Sequence, residues 1–520
     1  MRARLPEAVT TACGTRFAVA AGHPAAAAMA CEIFERGGSV ADAALAASAL
    51  LCAALPQATG IGGDMMALYR DAASGSLVGL DAAGVAPAAA LPARFPDGVP
   101  LKGVRAAVVP GIVAGWDCLH RRFGRLAWRE LIRPAAQLAA SGVARSAGIE
   151  EFLAECASDL QADAGCRQLF MTPQEDPARL RQQALSDTLE RIARGGADEF
   201  YRGPTGERLA GFLQRNEGLI GMDDLRAYRP RWVEPLRGHY RGHEVHVLPP
   251  SSFGLLLLLQ LAGLQGVDAY PASQPALRFS AQLNAMRAAF ELGEPFLHDD
   301  GPALDDAAVE RLAEQMARRM ARPRETPAEL HGGTACVVAG DSRGNAIVLV
   351  QSIYQPFGAA CADPGTGILL NNRLSAFGTD PDAPNCVAPG KRPRHTLCPT
   401  LVLRDGRPCI AVASPGGLSQ TVTLTQVISN LIDLELPASQ AIEAPRWCLG
   451  RKREIFAEPA LADALPKADA AAGSNGQPNG QPVVRYDPYS FGSAKAIVWQ
   501  PDGEIVAAAD SRRDASAAAS

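Results

Sequence analysis

An α+β protein built of antiparallel sheet covered by helices is the fold class this sequence predicts. Two observations carry it: β-hairpin patterns occur in both halves of the chain, and the stretches between them place apolar residues at three- and four-residue spacing. No repeat of solenoid period runs through it. The 520 residues are 48% hydrophobic and 20% charged. Such a chain holds one large domain, two interlocked ones or about three of ordinary size, and its core needs no disulfide or metal.

The elements follow in order. Ser39 caps the apolar run Val40 to Leu55, and Pro56 ends it, which predicts a buried helix. That run contains Asp42 and Ser48 and is too short to cross a bilayer. Thr59 to Asp71 (TGIGGDMMALYRD) predicts a glycine turn entering a strand, with Leu77 to Leu80 as its hairpin partner. From about Gly115 to Tyr270 the pattern is mainly helical, interrupted by one strand in His239 to Pro250, where Glu244, Val245, His246 and Val247 alternate. LLLLLQLAGL after Phe253-Gly254 predicts a buried helix, and 299–331 a polar helical stretch ending in a loop. The character changes at His331. CVVAGDSRGNAIVLVQS predicts strand, tight turn over Asp341 to Asn345, and strand; GTGILLNN predicts a loop and strand. TLVLRDGRPCIAVASPGG predicts a hairpin turning at Asp405-Gly406, TLTQVISNLIDL and ASQAIEAP two helices, and SAKAIVWQPDGEIVAAAD a last hairpin. Residues 468–481, rich in Gly, Asn, Ser and Pro, predict a mobile surface loop.

Lys and Arg number 50 against 55 Asp and Glu, so nothing points to nucleic acid or an anionic membrane as partner. Met1 to Thr10 carries charges with no apolar run behind them, so no secretory signal is expected and the expected location is the cytoplasm. The twelve cysteines form no CxxC pair and fit small buried thiols in a reducing compartment. GxSxG, P-loop and HExxH motifs are missing. In the cluster His239, His243 and His246, Gly238 and Gly242 argue against a helix that would bring His239 and His243 to one ligand, and on a strand His243 and His246 point to opposite faces. Neither a metal nor a cofactor is therefore expected. Two spots remain: His331-Gly332-Gly333-Thr334 at the mouth of an apolar strand, and Ser414-Pro415-Gly416-Gly417 at the end of another. Their glycine pairs can leave backbone N–H groups open as an oxyanion hole, or they are ordinary turns. The residues alone leave both open.

From HGGTACVVAGDSRGNAIVLVQS outwards the chain resembles the γ-glutamyltranspeptidase family of N-terminal-nucleophile hydrolases. Upstream, GGSVADAALAASALLCAALPQATGIGGD, VPGIVAGW, FGRLAWRELIRPAAQLAASGV, GADEFYRG and DDLRAYRPRWVEPLRGHYRG resemble its large subunit in order. Downstream, GTGILLNN, GKRPRHTLCPTLVLRDG, SPGG, QVISNLIDL, EAPRW and SAKAIVW…DSRRD resemble its small subunit. The resemblance implies a four-layer αββα sandwich of two antiparallel sheets and a proenzyme that cuts itself. It places the cut at Gly333/Thr334, with Thr334 as nucleophile and Gly344-Asn345 ten residues on as the matching spacing. Fragments 1–333 and 334–520 would then be partner subunits of one interlocked domain. It also implies an oxyanion hole at Gly416 and Gly417. Ser352 falls where the family has an assisting threonine, or is an ordinary strand-end serine.

The departures bear on substrate. Ala83 stands where γ-glutamyl enzymes carry an arginine for the α-carboxylate, and Ala376 where they carry an acid for the α-amine. His395 and Thr396 replace paired serines, and Tyr354 an asparagine. A zwitterionic glutamate head would lose both partners. The chain thus resembles the divergent branch that holds oxamate amidohydrolase and cephalosporin-acylase-like members. Tyr354, Asn372, Arg373, His395, Thr396 and Ser414 are expected around the substrate. Arg373, His395 and Thr396 can seat a small carboxylate, and Arg373 equally fits a structural ion pair. The expected activity is hydrolysis of a small carboxylate-bearing amide such as oxamate. The alternatives are a γ-glutamyltransferase or glutathione hydrolase, and a non-catalytic scaffold of the same fold. Whether identical copies assemble is left open.

Overall fold

Two seven-stranded antiparallel sheets stack face to face between layers of helix, in a computed structural model that describes residues 8–267, 271–321, 326–327, 332–450, 453–465, 483–484 and 488–520. One sheet runs Ser516–Ala519, Phe17–Ala21, Gly333–Asp341, Ala346–Tyr354, Asp64–Arg70, Leu77–Ala82, Arg231–Val233. The other runs Thr11–Gly14, Ile505–Ala509, Lys495–Trp499, Arg407–Ala413, Thr400–Arg404, His243–Val247, Leu236–Tyr240. Strands from before and after Gly333 interleave in both.

The central strands are buried on both faces, so their sequences run apolar without interruption instead of alternating. Cys336, Val338, Val348 and Val350 face Leu401, Ala411 and Ile497 of the second sheet. Ala335, Val337, Ala339, Ile347 and Leu349 face the helical layer led by Val40–Ala54. That helix is buried all round, and its alanines let it lie close to the sheet. Its start is fixed by a capping box: Ser39 Oγ accepts from the Asp42 N–H at 3.0 Å, and Asp42 Oδ2 accepts from the Ser39 N–H at 2.9 Å. Helices Gly254–Gln265, Pro275–Gly293, Asp306–Met320 and Ser419–Ile432 cover the outer face of the second sheet. The four layers are those expected.

Two local expectations change. The single strand expected in His239 to Pro250 is the second arm of a hairpin, Leu236–Tyr240 and His243–Val247, turning at Arg241 and Gly242 with φ of 49° and 79°. Two of its histidines are engaged separately: His243 Nδ1 lies 3.0 Å from the Arg241 carbonyl and His246 Nε2 3.3 Å from Glu244 Oε2. GTGILLNN yields only the two-residue strand Ile368–Leu369, because Asn371 spends its amide on the Gly62 and Val108 carbonyls. Among the described residues no three His, Cys, Asp or Glu side chains gather as a metal site, and no helix is long and apolar enough to cross a membrane. None of the twelve cysteines is joined in a disulfide. His331 and the expected loop 468–481 lie outside the described residues.

Candidate active site

The strand Gly333–Asp341 opens with a bulge. Gly333 sits opposite Tyr354, yet Thr334 sits opposite Ser352. The extra residue brings the Ser352 hydroxyl under the Gly333–Thr334 peptide. Ser352 Oγ donates to the Gly333 carbonyl at 2.5 Å and accepts from the Tyr354 N–H at 2.7 Å. Tyr354 can turn its N–H this way because its backbone enters the left-handed region, φ 80°. Gly333 must be glycine: a Cβ there would come within 2.7 Å of the Gln57 carbonyl oxygen. Thr334 and Ser352 are both buried, 4% and 1% exposed.

Ser414 to Gly417 follows the buried strand Arg407–Ala413. Gly416 and Gly417 take φ of 137° and 57°, so the loop needs glycine there. Gly332 rests against Gly417, with a Cβ position 3.3 Å from the Gly417 nitrogen. The residues leading into Thr334 therefore abut the glycine loop. Ser414 Oγ donates to the Pro415 carbonyl at 2.8 Å. The Gln420 amide, in the orientation its neighbours require, donates to the Ser414 and Thr396 carbonyls at 3.2 and 3.1 Å and ties the two loops together. A cavity of ≈ 40 Å³ at Thr334 is lined by Gln57, Gly332, Pro415, Lys495 and Arg513.

Asp64, Ser352 and Thr334 form one row across three adjacent strands, on the face turned to the second sheet. Asp64 is fully buried and anchors the groups expected around the substrate. His395 Nε2 lies 2.9 Å from Asp64 Oδ2, Arg373 Nε 3.3 Å from the same oxygen, and Arg373 Nη2 donates to Oδ1 at 3.5 Å. Burial alone would push the Asp64 carboxyl up; the Arg373 guanidinium and His395 outweigh it and hold it at about 2. Burial, then Arg373, drives His395 down, so the ring is neutral. Its Nδ1 accepts from the Leu397 N–H at 3.3 Å, which leaves the proton on Nε2 for Asp64. Both ring nitrogens are thus spent, and His395 orients Asp64 instead of offering a donor to a ligand. Arg373 lies 4.3 Å over the Tyr354 ring, and its Nε and Nη1 make no hydrogen bond among the described residues. It forms the ion pair left open by the sequence and keeps donors to spare. Asn372 has none to spare: Oδ1 accepts from the Gln355 N–H at 3.1 Å, and Nδ2 donates to the Leu101 carbonyl at 3.0 Å and Gln355 Oε1 at 2.9 Å. Ala83 and Ala376 are both buried.

The EAPRW and DSRRD blocks meet behind the site. Arg446 and Arg512 both pair with buried Asp510, whose Oδ2 also accepts from the Ala494 N–H at 3.0 Å. Sequence reasoning passed over Asp64 and Lys495. The signal available for each was a charge opening an apolar strand.

The match to known proteins follows this geometry. The gamma-glutamyltranspeptidase family profile covers residues 26–520. The chain belongs to the gamma-glutamyltranspeptidase family. It is 32% identical over 453 residues to a glutathione hydrolase-like YwrD proenzyme of Bacillus subtilis, covering 84% of this chain and 86% of that one. It is 30% identical over 519 residues to the oxamate amidohydrolase proenzyme of Klebsiella pneumoniae, covering 95% and 97%. A cephalosporin acylase of Bacillus halodurans superposes with a TM-score of 0.88 at 28% identity, over 100% of this chain and 99% of that one. As a gamma-glutamyltranspeptidase-family protein it is a self-processing proenzyme hydrolase of the N-terminal-threonine type.

Proposed function

We propose that Thr334 cuts its own chain from Gly333 and then, as a new N-terminal residue, hydrolyses a small amide bearing a carboxylate near the scissile carbonyl, oxamate being the reference compound. The observation that carries the first half is the Ser352 hydroxyl donating to the Gly333 carbonyl at 2.5 Å. That bond draws electron density from the carbonyl carbon beside the Thr334 hydroxyl and stabilises the oxyanion formed on attack. Once free, the Thr334 α-amine, with an ordinary pKa of about 8, takes the hydroxyl proton during turnover. The Gly416 and Gly417 N–H groups receive the oxyanion of the substrate.

The second half is supported by hydrogen-bonding capacity. Ala83 and Ala376 offer a glutamate head nothing, whereas Arg373 keeps unspent donors in a buried site. Asp64 balances the single Arg373 charge, so what the cluster offers a small carboxylate is the guanidinium's unspent donors. The similarity to an oxamate amidohydrolase agrees with this, and the glutathione hydrolase-like relative sustains the γ-glutamyl alternative.

A panel of oxamate, succinamate, glutaryl-amides and γ-glutamyl-amides, read by ammonia or amine release, tests the choice. Turnover of the carboxylate-bearing amides with poor turnover of glutathione and γ-glutamyl anilide is expected. Efficient γ-glutamyl turnover would overturn the substrate and leave the threonine chemistry standing.

A further inference from the structure

Self-cleavage poses a proton problem that turnover does not. Until the chain is cut, the Thr334 nitrogen is an amide and cannot accept the hydroxyl proton. Lys495, 2% exposed, comes from the opposite sheet and lines the same ≈ 40 Å³ cavity as Gly332, Gly333 and Thr334. Thr334, Cys336 and Val338 alternate onto the face between the sheets; Ile497 reaches that layer from the other side, and so does Lys495 two residues earlier. At ≈ 40 Å³ the cavity is large enough to hold a water.

The amine itself is held in one orientation. Nζ donates to the Ser493 carbonyl at 2.7 Å and to Ser493 Oγ at 2.8 Å. Two bonds use both N–H groups of a neutral amine, and the Cys336 thiol on the nucleophile strand is also within hydrogen-bond reach. Burial first, then the Arg513 and Arg446 cations, push Lys495 down, against Cys336 from the nucleophile strand and Asp510 behind. Asp514 and Tyr489 complete the polar lining of the cavity.

We propose that Lys495 is the proton acceptor of the self-cleavage step, acting on the Thr334 hydroxyl through one water in the shared cavity. The inference rests on Thr334 as nucleophile. The hydroxyl proton passes to Nζ as Oγ bonds to the Gly333 carbonyl carbon. The C–N bond then breaks, and the proton moves from Nζ to the departing Thr334 nitrogen. Water hydrolyses the resulting ester, giving the Gly333 carboxylate, the free hydroxyl and the free amine. Lys495 ends as it began, and nothing is oxidised or reduced.

The full chain, made in a short cell-free pulse and chased between pH 6 and 9, is followed by denaturing electrophoresis. The parent's cleavage rate should rise with pH as the amine becomes neutral and then level off. Lys495→Met should cleave roughly 10²-fold slower and lose that rise. Lys495→Arg, which keeps the charge and cannot act as a base, should be as slow. Gel filtration and circular dichroism against the Thr334→Ala precursor check folding. Cleavage of either lysine variant at the parent rate, or a parent profile flat with pH, would overturn the proposal. Cleavage of Thr334→Ala would instead overturn the nucleophile on which it rests.

Discussion

A hydroxyl that accepts from one backbone N–H and donates to a carbonyl has its proton direction fixed, and Ser352 is in that position. In the proposed cleavage its contribution is electrostatic and prearranged. Ser352→Ala should slow appearance of the cleaved fragments by about 10²–10³-fold, the loss typical of one oxyanion donor, while Ser352→Thr should retain most of the rate. A pulse-chase time course decides it, and an unchanged rate for the alanine variant would remove Ser352 from the step. The residue was legible through the family resemblance, which places an assisting hydroxyl at Ser352; its position opposite Thr334 came with the fold. His395 was legible as a departure from family pattern but not in its role. Only the fold shows that both of its nitrogens are consumed by Asp64 and Leu397.

Between elements, the Asp64–Arg373–His395 cluster pins the strand Asp64–Arg70 to the loop after Asn372 and to the segment before Thr400–Arg404. The Asp64 carboxyl is held at about 2 from an ordinary 3.8, so its stabilisation is complete above about pH 4 and is lost as pH falls towards 2. Asp64→Asn should lower stability at pH 7 by about 3–5 kcal/mol, since Arg373 then stays buried without its counter-ion, and should flatten the acid limb. Urea unfolding at pH 7, 4 and 3 measures both; a variant as stable as the parent with the same acid limb would contradict the pairing. At this scale the sequence shows strands by their apolar runs and shows the Val40–Ala54 helix by its cap. It conceals Leu236–Tyr240 because that strand lies at a sheet edge, half exposed, where LRGHY needs no apolar pattern.

Across the whole molecule, neither sheet is complete without strands from both sides of Gly333. Cutting one peptide bond leaves that shared core in place, so the cleaved protein should stay a single folded body and separate only when denatured. The four layers were legible from hairpins and helix periodicity together with family resemblance. The order of strands was not, because pairing such as Phe17–Ala21 beside Gly333–Asp341 joins residues more than 300 positions apart, and local pattern does not encode it. The central claim, that the chain opens at Gly333–Thr334, is met most directly by N-terminal sequencing of the smaller fragment recovered from the denatured protein. The expected result is a sequence beginning Thr334-Ala335-Cys336, with no such fragment from Thr334→Ala. A fragment beginning at any other residue, or a parent protein that stays whole, would contradict it.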